Sequence, residues 1–451
     1  MATTTTAPSL ASDVRGYLAE DLLPLTINEL MFYEFSDKHT LPKGHGLTYT
    51  MSRYHRLPLS FAPTAEGVPP VATPLTVSSA TVALQQWTAL VTITDVAKHI
   101  IKHDVFVIAK DQLQLAAKEL MERNCILALM AFPNINYVNS KGARGSLAAT
   151  DVMNTQEIQR GFSYLATVGV PMFNGPTGPT DQKKLADGQP KALSNPRSMP
   201  HYVAAVHPMV QADLRSNPQV QVVSAYSSPN RLYNGEFGEW NQVRFCSSNF
   251  IPSFLGGGTS PTGTGVGTGG LLNGTYVIQV TGSDLITQFE TLVYSVSTGI
   301  AAGSGTGSIT LTTPSTPGYT YSVYISVAGG AAPTNLASCV AGPTQGALQG
   351  MATQIPPSTA ITLTNVGVTK TPPAAPASGI TVYPTFIFGK GAYATVTLED
   401  IEVNYLDTAE KTDPANQLRM ASFKFFNGTF LKNAAFALRI ESSSQFSLTL
   451  G

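Results

Sequence analysis

Strands are predicted wherever apolar residues recur at every second position or in short continuous runs. Between Thr81 and Thr94, apolar and polar side chains alternate around Trp87, which is the pattern of a half-buried strand. The apolar run HYVAAVHP predicts a buried strand that ends at Pro208. Shorter segments of the same kind follow in TYVIQV, TLVYSV, YTYSVYISV and AITLT. The chain is therefore predicted to be rich in β structure.

One long helix is predicted over residues 104–132, with Pro133 as its stop. Its apolar residues at helical spacing should form the buried stripe, which consists of Leu113, Ala116, Ala117, Leu120, Leu127 and Ala131. Two pairs of opposite charge are spaced to meet on an exposed face, namely Lys118 with Glu122 and Glu119 with Arg123. This helix should cross a whole domain.

A second helix and several turns are marked by local signals. Asn154 and Glu157 have the spacing of a capping box, and Gly169 ends the helix shortly before Pro171. Turns are predicted at three Asn-Gly pairs, namely Asn234-Gly235, Asn273-Gly274 and Asn427-Gly428. The last two pairs precede Thr and fit the glycosylation pattern, but a cytosolic chain would use them only as turns.

Composition divides the chain into segments. Residues 1–75 are rich in Pro and Thr and predict an N-terminal arm and an extended loop. Between residues 251 and 378 only Asp284, Glu290 and Lys370 are charged. A glycine tract, GGGTSPTGTGVGTGG, and the segment TPPAAPAS should link this region to the rest. We predict an α+β core over 76–255 and 380–451, with residues 256–379 as an inserted immunoglobulin-like β-sandwich that the core does not need for folding.

Charge and cysteine content narrow the function classes. Only 12% of the 451 residues are charged and the formal net charge is -1, which argues against a protein that coats nucleic acid. The three cysteines are far apart and odd in number, which argues against a disulfide framework and suits a reducing cytosol. The start, MATTTTAPSL, does not resemble a secretory signal, and no apolar run reaches membrane-spanning length.

Candidate chemistry is sparse. His99 and His103 lie four residues apart and could face a metal together, but Ile100 stands where a zinc protease has its Glu, and spacing places no third ligand. The sequence from Gly265 to Gly270 matches the glycine spacing of a dinucleotide-binding motif. That motif needs a helix after it, whereas a strand is predicted to follow here. No phosphate loop or nucleophile elbow occurs. We therefore predict no enzyme, no catalytic residue, no cofactor and no metal.

Two groups of residues are candidates for contacts between chains. Glu236, Glu239 and Arg244 flank Trp240 beside a tight turn, which could be a recognition feature or simply a turn over a core Trp. Arg53, His55 and Arg56 could meet DNA phosphates or acidic groups of a neighbouring chain, and the neutral chain favours the neighbour. Segment 1–75 also carries aromatic residues that should pack on a neighbour, including Phe32, Tyr33 and Tyr54.

Several stretches resemble the Hong Kong 97-type capsid fold, and within it the major capsid proteins of the phage N-four type. They are MSRYHRLPLSFAPTAEGVPP with TVALQQWTALVTITDVAKHI, HYVAAVHPMVQADL, LYNGEFGEWNQVRF, FGKGAYATVTLED and KFFNGTFLKNAAFALRIE. This resemblance implies an N-terminal arm, an extended loop near 51–70, a spine helix at 104–132, and peripheral and axial domains. The inserted sandwich departs from the simplest pattern.

The function implied by the resemblance is structural. The chain would self-assemble into hexamers and pentamers of an icosahedral shell that encloses phage double-stranded DNA, with only weak, non-specific DNA contact. Its partners would be other copies of itself, a portal, a separate scaffolding protein and possible decoration proteins, without a membrane. It would be made in the host cytoplasm and reside in the virion capsid.

Two other function classes stay open at the level of sequence. The chain could be a phage tail protein or surface adhesin whose sandwich binds carbohydrate, which would form small oligomers and not shells. It could also be a metal-dependent hydrolase that uses His99 and His103, which elemental analysis would reveal.

Overall fold

The computed structural model describes residues 31–57, 73–94, 105–174, 200–222, 233, 235–302, 307–340, 351–406 and 418–447. The protein is rich in sheets and contains few helices in these ranges. The helices are α1 (Phe32–Phe35), α2 (Val105–Met130), α3 (Thr155–Val168) and α4 (Pro208–Arg215). The short 3₁₀ turns are Val138–Ser140, Arg144–Ser146 and Ala434–Phe436.

A central sheet of seven main strands forms the body of the protein. In spatial order these are β8 (Gln221–Val222), β9 (Glu236–Trp240), β10 (Val243–Ser247), β7 (Pro200–Val206), β20 (Thr381–Phe388), β23 (Ala437–Ser442) and β5 (Ile135–Tyr137), and β6 (Phe173–Asn174) pairs with the start of β7. Side chains of β7 alternate between two apolar clusters, so both faces are covered. The predicted buried strand at HYVAAVHP is confirmed, although Pro208 also begins helix α4.

Helices α3 and α4 cover one face of this central sheet. Asn154 caps α3 by accepting a hydrogen bond from the N–H of Glu157 at 3.1 Å, and Gly169 ends it with a φ of 74°. Ile158 and Leu165 of this helix are buried against the sheet. The second predicted helix, its cap and its end are thus confirmed.

A four-stranded sheet lies beside the central sheet. Its order is β1 (Asp37–Thr40), β21 (Tyr393–Leu406), β22 (Leu418–Leu431) and β4 (Gln85–Thr94), with β1 parallel to β21 and the other pairs antiparallel. The strand predicted over 81–94 is divided in two. Leu84, which is buried, separates β3 (Val77–Ala83) from β4. Asn427-Gly428 lies within β22, so the predicted turn there is wrong.

Helix α2 confirms the predicted long helix and bridges the two sheets. Its first half packs Leu113, Ala117 and Met121 on Phe423 and Phe425 of the four-stranded sheet. Its second half packs on the central sheet through residues that the predicted stripe omitted, namely Cys125, Ile126 and Leu129. The predicted stripe is wrong in part, since Ala116, Leu127 and Ala131 are exposed.

The strands of the insertion enclose a separate apolar cluster. They are β11 (Phe254–Thr259), β12 (Thr264–Leu271), β13 (Gly274–Asp284), β14 (Glu290–Ser295), β15 (Ser297–Ala302), β16 (Gly307–Thr312), β17 (Tyr319–Ile325), β18 (Asn335–Val340) and β19 (Ala360–Thr369). The chain of pairings runs β12, β16, β19, β18, β17, β13, with β14 and β15 both on β13. The insertion's boundaries and its immunoglobulin-like identity stay predictions.

The glycine tract is strand and not linker, which corrects the prediction. It forms the end of β11 and most of β12, and β12 pairs with β16. Glycine is required where two backbone segments approach closely. A Cβ on Gly256 would lie 2.1 Å from the carbonyl oxygen of Ala377. The glycines of this tract allow the strands to pack closely, although a segment without side chains also has the composition of a linker.

Candidate intersubunit surface

The β2–β3 hairpin is the least supported part of the described chain. Strands β2 (Thr48–Tyr54) and β3 pair antiparallel, with Thr48 opposite Ala83 and Tyr54 opposite Val77. Neither strand contains a buried residue. At most, alternate side chains such as Tyr49 and Val82 pack against a small cluster at the base of the hairpin. An isolated two-stranded hairpin is only marginally stable in water, so this one needs a further surface to pack on.

The far end of the hairpin exposes apolar side chains. The exposed fractions are 69% for Tyr54, 52% for Val77, 66% for Leu75 and 42% for Leu57. Contiguous exposed apolar residues mark interaction sites on folded proteins. The hairpin end therefore has the character of a protein contact.

The structure brings three of the sequence-predicted contact residues together at this end. Arg53, Tyr54 and Arg56 are all exposed on or directly after β2. Exposed guanidinium groups suit a partner that offers carboxylates or carbonyls. Their role between chains stays a prediction.

Phe32 lies in the chain's own core, so the prediction that it packs on a neighbour is wrong. Its side chain is fully buried and meets the ring of Phe386 edge-on, with ring centroids 6.1 Å apart. Tyr33 is half-buried beneath the ammonium group of Lys38, whose Nζ lies 4.4 Å from the ring centroid. Residues 31–41 thus belong to the subunit's own fold, because Met31, Phe32 and Leu41 are buried in its core.

Glu122 fastens this segment to α2. Its buried carboxylate accepts hydrogen bonds from the backbone N–H groups of Met31, Phe32 and Tyr33, with N···O distances of 2.5, 2.6 and 2.9 Å. Burial raises the pKa of Glu122, and the three N–H groups oppose that rise. The predicted exposed pair of Glu122 with Lys118 is wrong, since a buried carboxylate needs these donors.

The charges around Trp240 are used within the subunit. Arg244 in β10 lies 3.6 Å from the carboxylates of both Glu236 and Glu239 in β9. The Glu236 side chain is fully buried, whereas that of Glu239 is 38% exposed. Trp240 packs half-buried against the cluster under α3. The prediction of a contact between chains is therefore wrong for Glu236, because no neighbour could reach it.

A second turn, which was not predicted, joins β9 to β10. Asn241 and Gln242 join β9 to β10 with φ values of 49° and 60°. Two consecutive residues with positive φ are typical of a type I′ hairpin turn. The turn predicted at Asn234-Gly235 is confirmed directly before β9, where Gly235 has a φ of 72° and the N–H of Glu236 donates a hydrogen bond to the carbonyl oxygen of Tyr233 at 3.2 Å.

A buried ionic network joins the 3₁₀ turn at Arg144–Ser146 and strand β23 to the end of the insertion. Arg144 donates to both carboxylate oxygens of Glu441, and Arg439 lies 3.1 Å from the same carboxylate. Arg144 also donates to the carbonyl oxygen of Ala374 at 2.9 Å and lies over the ring of Phe254. The segment TPPAAPAS is thus held against the body of the protein and is not a free linker.

The insertion reaches into the core of the body through one aromatic residue. Phe289 is buried beside Phe250, with ring centroids 5.7 Å apart and the rings nearly perpendicular. Arg123 of α2 donates to the carbonyl oxygen of Gln288 at 3.2 Å. The insertion therefore contacts the body, and the expectation that the body folds without it stays a prediction.

The buried titratable groups are poorly suited to catalysis. Burial lowers the pKa of His207 to about 4, and its Nδ1 accepts a hydrogen bond from the N–H of Met209 at the start of α4. Burial raises the pKa of the Cys125 thiol to about 12, so it is not a thiolate near neutral pH. The surroundings of both side chains therefore favour a structural role.

Among the described residues, no three His, Cys, Asp or Glu side chains are grouped closely enough to hold a metal ion. His99 and His103 lie outside the described residues. None of the described helices has the length and apolar character of a membrane span.

Comparison with known proteins gives likenesses in structure alone. No protein-family profile matches the sequence, and no curated protein matches it. The capsid of a cyanophage, P-SCSP1u, is similar with a TM-score of 0.49 and 11% identity over 97% of this chain and 94% of that chain. The capsid of Ralstonia phage GP4 gives a TM-score of 0.49 and 11% identity over 98% of each chain. The capsid of cyanophage Pam1 gives a TM-score of 0.48 and 10% identity over 99% of this chain and 100% of that chain.

These similar structures are capsid proteins of bacteriophages that match nearly the whole chain. TM-scores below 0.5 do not assign the chain to a family. The function proposed below therefore rests on the residues of this chain.

Proposed function

We propose that this chain is the major capsid protein of a tailed bacteriophage, with the Hong Kong 97-type fold and of the phage N-four type. It assembles into the hexamers and pentamers of an icosahedral shell around double-stranded DNA. Its place is the virion capsid, and it is synthesised and assembled in the host cytoplasm. Its further partners are portal, scaffolding and decoration proteins. It makes only weak, non-specific contacts with DNA. It has no enzymatic role.

The observation that carries this proposal is the β2–β3 hairpin. Its strands have no buried residue, and its end exposes Tyr54 and Val77, which lie opposite each other, together with Arg53 and Arg56. Such a hairpin gains stability when a second copy covers it, and many such weak contacts act together in a closed shell. In this assignment the hairpin is the extended loop.

The other elements fit the same plan. Helix α2 is the spine that links two sheets, the four-stranded sheet belongs to the peripheral domain, and the central sheet belongs to the axial domain. The insertion is a surface module attached to the body through Phe289 and the Arg144 network. The low charge of the chain suits a subunit whose surface is largely covered by other copies.

The test changes the exposed apolar end of the hairpin. Tyr54→Ser with Val77→Ser should leave the thermal midpoint of the unassembled subunit within about 2 °C of the wild type, because both side chains are exposed. Closed shells, counted by electron microscopy, should be lost. Leu285→Ser with Ile286→Ser removes two similarly exposed apolar side chains from the insertion and serves as the control that still assembles.

Two outcomes would contradict the proposal. One is a wild-type protein that stays a compact monomer at every concentration and salt condition tested. The other is a hairpin variant that forms shells as readily as the wild type. Small closed oligomers in place of shells would favour the tail or adhesin alternative.

A further inference from the structure

Strand β4 is an edge strand whose outer side has no partner strand in the described part of the chain. It ends the four-stranded sheet on one side and pairs with β22 along its 10 residues without a bulge. Among the described elements, only β22 and α2 pack closely against it. An edge strand presents a row of backbone N–H and C=O groups that a further strand can bind.

The sequence of β4 lacks the features that usually prevent such binding. Natural edge strands are protected by a short length, charged side chains, proline or a bulge. The opposite edge of the same sheet follows this rule, because β1 has only 4 residues and includes Asp37 and Lys38. The sequence of β4, QQWTALVTIT, contains no charged residue, no proline and no glycine, and it is rich in residues that favour strands. Its outer edge is therefore open to another strand.

The middle of β4 exposes apolar side chains on both faces of the sheet. Leu90 is 58% exposed and Val91 is 36% exposed. Trp87 and Ala89 pack against the cluster under α2, and because side chains alternate along a strand, Leu90 lies on the opposite face. A strand added to this edge would cover Leu90 on one face and Val91 on the other.

The sequence of β4 is complementary to itself in an antiparallel pair. When Leu90 lies opposite Leu90 of a second copy, each residue meets the one equally far from Leu90 on the other side, and paired side chains share a face. The remaining pairs are Ala89 with Val91, Thr88 with Thr92, Trp87 with Ile93 and Gln86 with Thr94. An aromatic ring with a β-branched side chain and Thr with Thr are favourable cross-strand pairs, and no like charges meet.

We propose that the outer edge of β4 binds the same edge of a second copy of this chain, antiparallel and about a two-fold axis at Leu90. The two four-stranded sheets then form one continuous sheet. A second copy is the occupant because the strand matches its own sequence and because a shell supplies identical edges at high local concentration.

This inference rests on the proposed self-assembly and adds which subunits the contact joins. Members of one hexamer or pentamer are related by head-to-tail contacts, in which two different surfaces meet. The β4 contact is symmetric, since the same residues come from both copies. It therefore joins subunits of neighbouring hexamers or pentamers and not members of one ring.

The central test places charges on the two-fold axis. In Leu90→Lys or Leu90→Glu, two like charges would face each other at every such contact, so the subunit concentration needed for shells should rise about tenfold or more. Free hexamers and pentamers should still form, as measured by analytical ultracentrifugation and electron microscopy. An equimolar mixture of the two variants places Lys opposite Glu and should form shells at a lower concentration than either variant alone.

Val368→Lys is the matched control for the added charge. Val368 lies on strand β19 of the insertion and is 51% exposed, which is similar to Leu90. This variant should form shells as the wild type does. The thermal midpoint of the unassembled subunit should stay within about 2 °C of the wild type for all three variants, because the replaced side chains are exposed.

Cross-linking tests the register without relying on charge. The native cysteines are buried, so Leu90→Cys adds an exposed thiol. A short bis-maleimide should link two copies of this variant in assembled protein, which a denaturing gel shows as a dimer. Gln86→Cys is the exposed control on the same strand. Its two sulfur atoms would lie about 27 Å apart along the paired strands, so it should give no dimer.

Each other outcome counts against a definite claim. Shells from Leu90→Lys at the wild-type concentration, or a mixture no better than its components, would overturn the inference and leave the proposed function intact. A Leu90→Lys subunit far less stable than Val368→Lys would show that Leu90 is covered within its own subunit, which also overturns it. Equal cross-linking of Leu90→Cys and Gln86→Cys would do the same. A wild type that never associates would overturn the proposed function and, with it, this contact.

Discussion

The guanidinium group of Arg144 binds the carboxylate of Glu441 at two points, with N···O distances of 2.7 and 2.5 Å, although 297 positions separate the two residues. Both side chains are almost fully buried. Because the carbonyl oxygen of Ala374 also accepts a hydrogen bond from Arg144, one cation connects the 3₁₀ turn at Arg144–Ser146, strand β23 and the end of the insertion.

Removal of the charge on Glu441 should destabilise the subunit strongly. In Glu441→Gln the buried guanidinium groups of Arg144 and Arg439 lose their counter-ion, which should lower the free energy of unfolding by about 3 to 5 kcal/mol. Urea unfolding measures this. Lys43→Gln is the control, because its ammonium group is 83% exposed, lies 3.7 Å from Glu399 and should contribute about 1 kcal/mol or less. Equal effects of the two substitutions would contradict the assigned role of the buried pair.

Truncation of Phe289 should show how far the insertion supports the body. Phe289→Ala leaves a cavity beside Phe250 in the core of the body and should lower the free energy of unfolding by about 3 to 5 kcal/mol. Ile286→Ala lies in the same loop, where the side chain is 82% exposed, and should change it by about 0.5 kcal/mol or less. If Phe289→Ala is equally mild, the insertion is energetically separate from the body, as the composition of the chain predicts.

His207 should make the subunit less stable in mild acid. Its folded-state pKa of about 4 lies below the ordinary 6.5, so the unfolded chain binds the proton more readily. The contribution of neutral His207 to the free energy of unfolding is complete above the ordinary pKa of 6.5. It falls as the pH drops from 6.5 toward about 4, by at most about 1.4 kcal/mol per pH unit. His207→Asn keeps a capping side chain for α4 but does not titrate. Unfolding of both proteins from about pH 8 to about pH 4.5 should give a steeper loss for the wild type, and parallel curves would refute the assignment.

Much of the local structure could be predicted from the sequence, because its signals act over a few residues. The N-cap at Asn154, the end of α3 at Gly169 and the buried run of β7 all follow from neighbouring residue types. The length of α2 also follows from its pattern. Its buried face does not, because Glu122 looks like a surface residue until Met31 and Phe32 bring their N–H groups to it.

The candidate site was only partly predictable for the same reason. Arg53, Tyr54 and Arg56 lie at the exposed end of a hairpin, where the composition of the segment places them. Phe32 and Glu236 carry the same kind of signal but are buried by partners distant in sequence. The strands within the glycine tract could not be predicted, because a residue without a side chain suits both a linker and a tightly packed strand.

The parallel pairing of β1 with β21 sets an order of events during synthesis. Tyr393 donates a hydrogen bond to the carbonyl oxygen of Phe32, which lies 361 residues earlier, so the first strand has no place until the C-terminal part has been made. At about 5 to 20 residues per second, that interval lasts roughly 20 to 70 s. The insertion strands pair mainly with one another and can form within the interval. We expect the nascent chain to display a finished insertion on an unfinished body, with the aromatic residues of its N-terminal part open to chaperones until translation ends.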